Sequence, residues 1–177
     1  MFKIIALVLV VTVAAFLVYV ATKPTAFRIE RTHSITASPE VIFPFINDLH
    51  RFNSWNPFAQ MDPTLKITYS GPDSGQGAAY TWVGTGKAGA GRMEIAESSP
   101  SSRVSMRLTF TKPFTANNMA EFTITADGPT SRVTWAMTGR NTYVQNAMGT
   151  LFNMDKMVGS EFDQGLANLA ALAQQQR

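Results

Sequence analysis

Two polar side chains on the first predicted strand are the residues best placed to bind a charged group. Arg31 and His33 lie in the segment Phe27 to Thr36, whose alternation of apolar and polar residues predicts a β-strand. They share strand parity with Ile29 and Ile35, so we expect them to point towards the interior. A guanidinium or an imidazole there could hold the carboxylate or phosphate of a ligand. The alternatives are an edge position, a β-bulge, or an arginine that reaches back to solvent along its own stem.

Acid–base catalysis would need a titratable side chain that faces the interior. The candidates in this sequence are Arg31, His33, Tyr69 and Tyr80. Asp48, His50 and Arg51 lie at a predicted helix end, where charged residues are usually solvated, so we do not expect an acid–base cluster there. Glu94, Glu97 and Glu121 have outward strand parity, so we do not expect paired-carboxylate chemistry from them. The serines do not form a nucleophile elbow. We therefore predict no catalytic residue, and the sequence favours a binding domain over an enzyme.

The composition excludes several classes of site. Cysteine is absent, and the 177 residues include 2 histidines. Disulfides, thiol catalysis and cysteine metal sites are therefore excluded, and a histidine-rich metal site is not expected. We predict no metal and no other cofactor. The net charge is +3, and the basic residues are scattered along the chain, so we predict no nucleic-acid surface. The glycine-rich stretch Gly84 to Gly91 precedes no helix, which favours a turn over a phosphate-binding loop.

The first segment of the chain is long and apolar enough to cross a membrane. Ile4 to Ala21 is a run of 18 residues without a charge, at the lower end of the length that a transmembrane helix needs. Cleavage after Ala21 or Ala26 would place a tyrosine or a proline where a signal peptide has a small residue. We therefore predict an uncleaved single-pass anchor over residues 1–24, followed by one domain over residues 25–177. A cleaved signal is the first alternative, and a buried soluble helix is the second.

The charges around this segment leave its orientation open. Lys3 precedes the span, while Lys23, Arg28 and Arg31 follow it. The positive-inside count alone would place the domain in the cytoplasm. A very short N-terminal tail with a lysine more often stays inside, which places the domain outside. We therefore expect an extracytoplasmic domain, with the cytoplasmic arrangement as the alternative.

The middle of the chain predicts two short helices followed by a series of strands. Ser38 is a suitable N-cap, and Pro39 suits the first helical position. The helix is expected to end at Asn47-Asp48, and a second short helix or turn is expected over residues 49–54. From residue 65 to residue 137, apolar residues alternate with period two in about six segments, with glycine, proline and serine turns between them.

Two aromatic segments are predicted to be loops. They are Trp55-Asn56-Pro57-Phe58 and Lys112-Pro113-Phe114. Their rings could form the mouth of a cavity or touch lipid headgroups, because amphipathic rings favour membrane interfaces. The alternative is simple packing of the loops against the rest of the domain.

Thr150 to Gln175 is predicted to form one long amphipathic helix with Thr150 as its N-cap. Apolar residues from Leu151 to Leu172 recur at spacings of three and four. Gly159 and Gly165 lie in the middle of this helix, where glycine costs roughly 1 kcal/mol relative to alanine, so a packing reason is expected. An antiparallel sheet curls because its strands twist, and it can wrap such a helix. We therefore predict an α+β fold with a curled antiparallel sheet of about seven strands around the C-terminal helix.

The order of these elements resembles that of the START-like (SRPBCC) superfamily, and in particular its polyketide cyclase/dehydrase and lipid transport branch. The resemblance extends from about Phe27 to Ala173. Its motifs include residues 38–43, 47–48, 55–58, 69–71, 133–135 and 158–169. It implies a helix-grip fold with a deep apolar cavity between the sheet and the C-terminal helix. It also implies hydrophobic ligands, such as lipids, sterols or polyketides, but the motifs are structural and do not imply an enzyme.

The residues predicted to contact a ligand are the inward strand residues and the helix residues that face them. They are Arg31, His33, Tyr80, Trp82, Met93, Met106, Leu108, Phe110, Phe122, Trp135, Met137, Met154, Val158 and Phe162. A filled core at these positions is the alternative. The predicted function is membrane-anchored binding of a hydrophobic small molecule or lipid. A polyketide cyclase- or dehydratase-like enzyme and a ligand-free interaction domain are the other hypotheses.

Overall fold

Seven antiparallel strands form one sheet within residues 1–86 and 88–176, the part of the chain that the computed structural model describes. The strands are β1 (Ala26–Ile35), β2 (Lys66–Ser70), β3 (Ala79–Val83), β4 (Ala90–Ser99), β5 (Arg103–Lys112), β6 (Ala116–Asp127) and β7 (Thr130–Arg140). Their order across the sheet is β1-β7-β6-β5-β4-β3-β2. The predicted strands are therefore confirmed, and the first strand pairs with the last.

Helices precede, interrupt and follow the strands. They are α1 (Phe2–Ala21), α2 (Pro39–Asn47), α3 (Leu49–Trp55), α4 (Pro57–Gln60), α5 (Tyr143–Leu151) and α6 (Met154–Gln174). Ser38 is the N-cap of α2, as predicted. The helices α2, α3 and α4 connect the two edge strands and pack against α6, so they lie on the same side of the sheet as α6. Three predictions include parts of the chain that the structure does not describe. These parts are residue 87 in the glycine-rich turn, residue 177 at the end of the domain, and the side chain of Leu151 on the predicted apolar face of the C-terminal helix.

The prediction of one C-terminal helix from Thr150 is wrong. The chain breaks at Phe152 and Asn153, and α5 and α6 are separate helices. The Asn153 side chain accepts a hydrogen bond from the Lys156 backbone N–H at 2.9 Å, so Asn153 is the N-cap of α6. Thr150 instead donates its hydroxyl to the Asn146 carbonyl oxygen at 2.9 Å. An asparagine competes for backbone hydrogen bonds within a helix and favours this capping position.

The prediction of an aromatic loop at Trp55-Asn56-Pro57-Phe58 is also wrong. Trp55 is the last residue of α3, and Pro57 begins α4. The Trp55 indole N–H donates to the Phe45 carbonyl oxygen at 2.9 Å, and the side chain is 1% exposed. The Asn56 side chain accepts a hydrogen bond from the Phe58 backbone N–H at 3.2 Å and caps α4. Of the two alternatives for this segment, the structure shows packing into the core.

The sheet curves around α6 with the help of two irregularities between β4 and β5. The register shifts between Ala90 and Gly91 and again between Ile95 and Glu97. Such bulges increase the local twist and bend the strand. At the first one, a Cβ on Gly91 would overlap the Trp82 ring, so the absence of a side chain lets that ring lie against the strand. The result is the helix-grip architecture that the sequence indicated.

An aromatic cluster fills the space between the sheet and α6. The Trp135 ring on β7 stacks on Phe162 of α6, with ring centroids 4.2 Å apart and an interplanar angle of 10°. Edge-to-face contacts join Trp135 to Phe52 and Trp55, and Trp55 to Phe122. Each of these five side chains is at most 3% exposed. This part of the interior is therefore a filled core.

Both mid-helix glycines of α6 lie at close contacts with the rest of the domain. A Cβ at Gly165 would be 2.7 Å from Cζ3 of Trp135 and 3.0 Å from Cδ of Pro57. A Cβ at Gly159 would overlap the guanidinium of Arg31. The packing reason expected for these residues is therefore close approach.

We predict that Gly165→Ala destabilises the protein although alanine is the better helix former. Overpacking costs about 1–3 kcal/mol, while helix propensity returns roughly 1 kcal/mol, so the net loss is expected to be about 1 kcal/mol. Gly149→Ala in α5 is the matched control, because its Cβ would only touch Met154 Cγ at 3.7 Å. Chemical denaturation should show opposite signs for the two variants. Equal stabilisation by both would show that the Trp135 contact does not constrain α6.

Candidate functional site

An apolar cleft of about 450 Å³ lies beside the N-terminal end of α6. Its walls come from β1, the ends of β5, β6 and β7, the loop after β5, and the two C-terminal helices. The lining residues are Phe27, Arg28, Ile29, Phe110, Lys112, Pro113, Phe114, Ala116, Asn118, Met137, Arg140, Asn141, Gln145, Met148, Met154, Asp155 and Val158. The volume falls in the usual range of small-molecule pockets, roughly 300–1,000 Å³.

The cleft lies where the two C-terminal helices part. α6 packs against β1 and β7, whereas α5 packs beside α1. Because the chain turns at Phe152-Asn153, the ends of β5 and β6 face a cleft there. Farther along α6, the aromatic cluster fills the equivalent space. One end of the grip is therefore closed, and the other is open.

Four of the predicted ligand-contacting residues line this cleft: Phe110, Met137, Met154 and Val158. Eight others lie in the buried core, and each is at most 8% exposed: Tyr80, Trp82, Met93, Met106, Leu108, Phe122, Trp135 and Phe162. The remaining two, Arg31 and His33, contact α6. The structure thus divides the predicted set between an open end and a filled middle, and the ligand-binding role itself stays a prediction.

Arg31 and His33 connect β1 to carboxylates on α6. Arg31 Nη2 lies 3.1 Å from Asp155 Oδ2, and Arg31 Nε lies 3.3 Å from Asp163 Oδ2. His33 Nε2 lies 3.2 Å from Asp163 Oδ1. The hydrogen bond with Asp155 raises the pKa of the Arg31 guanidinium above its ordinary value. The Arg31 guanidinium, which was predicted to bind an anionic group of a ligand, is therefore paired with two carboxylates of the chain. These contacts fix the first half of α6 on β1.

Asn118 supplies a polar atom at the wall of the cleft. Its side-chain oxygen is buried and has no hydrogen-bond partner within residues 1–86 and 88–176. Its amide nitrogen lies 3.8 Å from Met137 Sδ, a weak acceptor. A buried polar atom without a partner costs about 1–3 kcal/mol. This oxygen is inaccessible to solvent and lies against Gly139, so a ligand in the cleft could pair with it only after the Asn118 side chain turns towards the cleft.

Basic side chains stand around the cleft. Arg28 pairs with Glu30 at 2.7 Å. Lys112 and Arg140 also line the cleft, and neither forms an ion pair with a described residue. The Lys112–Pro113 peptide bond is cis, and the next side chain, Phe114, is 54% exposed. Of the two alternatives for this aromatic segment, its position at the cleft agrees with a role at the mouth.

The tyrosines that the sequence offered for acid–base chemistry lie elsewhere. Tyr80 is 5% exposed in the core, and burial raises the pKa of its hydroxyl well above its ordinary value. Tyr69 stacks on His50, with ring centroids 3.6 Å apart, and accepts a hydrogen bond from Asn53 at 3.1 Å. The Tyr69 and His50 rings border a smaller and more polar depression of about 170 Å³ near α3. Across the described ranges, no group of three acidic or histidine side chains could hold a metal ion.

Several residues of the cleft were not singled out by the sequence. Ala116 and Asn118 share strand parity with buried Ala120 and Phe122, so their orientation could have been inferred from the alternation. The contribution of Gln145 and Met148 depends on α5, a helix that the sequence analysis did not predict. Its start could have been found from the capping box between Thr142 and Gln145.

We predict that Arg31→Met loosens the first half of α6 without unfolding the domain. The substitution keeps most of the apolar stem but removes both carboxylate contacts. Amide hydrogen exchange over residues 154–163 should become several-fold faster, because local opening of the helix no longer breaks these contacts.

Arg132→Met is the control for this prediction, since Arg132 forms an exposed pair with Asp127 at 3.2 Å in the β6–β7 hairpin. It should leave exchange in α6 unchanged. Identical protection of residues 154–163 in the Arg31 variant and the native protein would mean that the Arg31 contacts do not hold the helix.

Comparisons with known proteins agree with this architecture. The family model for polyketide cyclase / dehydrase and lipid transport matches residues 26–174. A comparison with curated proteins finds no match to this chain.

Solved structures with the same fold include enzymes and proteins described only by their source. A norcoclaurine synthase point mutant from Thalictrum flavum, in complex with a transition-state analogue, has a TM-score of 0.65 and 8% identity, and the match covers 88% of this chain and 98% of that one. The di-domain ARO/CYC of the steffimycin biosynthetic pathway also has a TM-score of 0.65 and 8% identity, with 86% and 52% covered. A protein from Mesorhizobium loti has a TM-score of 0.62 and 14% identity, with 85% and 99% covered.

Proposed function

Because this chain belongs to the polyketide cyclase/dehydrase and lipid transport family, we propose that residues 25–177 bind a hydrophobic small molecule or lipid in the cleft beside α6. The family and the fold support a hydrophobic-ligand-binding or polyketide-cyclase-like domain. Of these two, the contents of the cleft favour binding.

The observation that carries the proposal is the contrast between the middle of α6 and its N-terminal end. In the middle the Trp135–Phe162 stack fills the interior. At the N-terminal end the cleft of about 450 Å³ has walls that are mostly apolar. Burial of apolar surface is favourable by roughly 25 cal/mol per Å² removed from water, so a hydrophobic molecule lowers its free energy by moving from water into this space.

The polar groups of the cleft suggest an amphiphilic ligand. Lys112 and Arg140 line the cleft and can pair with an anionic group. The Asn118 side chain, once turned towards the cleft, can form a hydrogen bond with a hydroxyl or N–H group. A ligand with an apolar body and one or two polar substituents would satisfy both features. Such molecules include lipids and polyketide-like ring systems.

A cyclase-like enzyme is the second candidate, because the family includes cyclases and dehydrases, and the matched solved structures include a norcoclaurine synthase and an ARO/CYC di-domain. The titratable groups among the described lining residues are Arg28, Lys112, Arg140 and Asp155. Asp155 is engaged with Arg31, and the three cations are poor proton acceptors at neutral pH. None of the described lining residues is therefore a free carboxylate or histidine that could act as a general base. Measured turnover of the bound molecule would favour the enzyme over the binding domain.

The N-terminal helix supports a membrane location for this binding domain. α1 is the one helix in the described part of the chain that is long and apolar enough to cross a membrane, although a signal sequence has the same features. Val20 is its buried residue, near the end next to the domain. Tyr143 and Asn146 of α5 donate hydrogen bonds to the carbonyl oxygens of Leu17 and Pro24. These contacts favour a retained anchor over a cleaved signal, while the extracytoplasmic side stays a prediction from the sequence.

We predict that Ala116→Trp abolishes ligand retention by filling the cleft. The full chain would be purified in a mild detergent, and bound small molecules would be extracted and identified by mass spectrometry. The amount of the specific ligand should fall roughly tenfold or more, the equivalent of about 1.4 kcal/mol of binding free energy.

Met119→Trp is the matched control, because Met119 lies on the outward face of the same strand and is 37% exposed. Lipid that stays on α1 should be the same in all samples and can be subtracted. Thermal melting would confirm that both variants fold. Equal ligand recovery from the Ala116 and Met119 variants would refute binding in this cleft.

A further inference from the structure

Helix α5 exposes apolar side chains and buries a polar one, which is the reverse of the usual pattern for a surface helix in water. Tyr143, Val144 and Met148 are 45%, 58% and 44% exposed, whereas the polar Asn146 is 9% exposed. A surface helix of a soluble domain normally buries its apolar stripe and exposes its polar residues. An inverted helix of this kind is suited to an apolar environment on its outer side.

The exposed apolar side chains continue beyond α5. Val144, Met148 and Phe152 are spaced by four residues, and the Phe152 backbone N–H donates to the Met148 carbonyl oxygen at 2.9 Å. They therefore form one stripe. Phe152 is 56% exposed, and Met157 on the first turn of α6 is 57% exposed. We call these residues the apolar rim, together with Phe114 at the mouth of the cleft: Phe114, Tyr143, Val144, Met148, Phe152 and Met157.

The rim is attached to the apolar helix α1. The Tyr143 hydroxyl donates to the Leu17 carbonyl oxygen at 2.7 Å. Leu17 lies four residues before the end of α1 at Ala21, which corresponds to roughly 6 Å along the helix axis. If α1 spans a bilayer, the start of α5 therefore lies at the depth of the interface, where tyrosine is enriched. Lys23 lies over the Tyr19 ring at 4.4 Å, a pairing that also suits this layer.

The charges around the rim match a lipid surface. Lys23 follows the span, and Lys156 lies in the first turn of α6. The basic residues that line the cleft are Arg28, Lys112 and Arg140. The acidic neighbours Glu30 and Asp155 are paired with Arg28 and Arg31. An apolar stripe flanked by basic residues is the combination that holds helices in the interface of membranes with anionic lipids.

We propose that α5 and the break before α6 lie in the headgroup layer of a lipid bilayer, with Val144, Met148 and Phe152 reaching the acyl chains. The inference rests on the proposed anchoring role of α1 and adds the docking of the domain itself. Met148 and Phe114 belong both to the rim and to the cleft lining, so the mouth of the cleft opens onto the bilayer. A hydrophobic ligand then enters from the lipid phase without crossing water.

The test uses single-cysteine variants of the full chain, which contains no cysteine of its own. Leu9→Cys, Val144→Cys and Thr125→Cys each receive an environment-sensitive fluorophore. Leu9 reports on the anchor, Val144 on the rim, and Thr125 on the exposed far end of β6. The proteins are reconstituted into phosphatidylcholine–phosphatidylglycerol vesicles that contain lipids with a nitroxide quencher on the acyl chain. We expect strong quenching at Leu9 and Val144 and none at Thr125.

The three labels separate the two levels of the proposal. Quenching at Leu9 without quenching at Val144 would overturn interfacial docking and leave the anchor intact. No quenching at Leu9 would refute the anchor. A blue-shifted but unquenched Val144 label would place the rim against a second copy of the chain, and would also overturn the inference.

Discussion

The stacking of Trp135 on Phe162 is the contact on which the rest of the structure depends. It lies where β7, the strand next to edge strand β1, meets α6, and it is enclosed by Phe52, Trp55 and Phe122. Aromatic pairs bury large areas and prefer defined geometries, so this cluster sets both the distance and the angle between helix and sheet. Gly165 allows the approach. With the middle of α6 fixed in this way, the sheet can stay open beside the N-terminal end of the helix without loss of the fold.

The contacts on either side of the cleft explain how an open end can be stable. Arg31 connects β1 to Asp155 and Asp163 on α6, and α5 packs beside α1. The chain between these two contacts turns at Phe152-Asn153. The cleft is therefore bordered by a helix held on the sheet and a helix held near the span. This arrangement places the most exposed apolar side chains of the domain next to the segment proposed to lie in the membrane.

The sequence predicted the strands and the general fold because strand alternation and helix capping are local signals. Val104, Met106 and Phe122 were correctly identified as inward by their parity. Parity does not say how far along a strand the helix extends, so core residues such as Trp135 could not be distinguished from cleft residues such as Met137. The break at Asn153 and the helix before it were missed, because the apolar period of α6 runs on through Leu151. For Arg31, parity gave the right side, but its partners on α6 are 124 and 132 residues away in sequence and could not be inferred.

We propose that hydrophobic ligands occupy the open end of the grip and not its filled middle. Methionine methyl NMR tests it directly, since Met137 lines the cleft whereas Met93 and Met106 are at most 6% exposed in the core. The full chain in lipid nanodiscs would be titrated with a long-chain fatty acid. We expect a saturable shift of the Met137 methyl signal with little change at Met93 and Met106. Shifts at Met93 and Met106 with Met137 unchanged would contradict it.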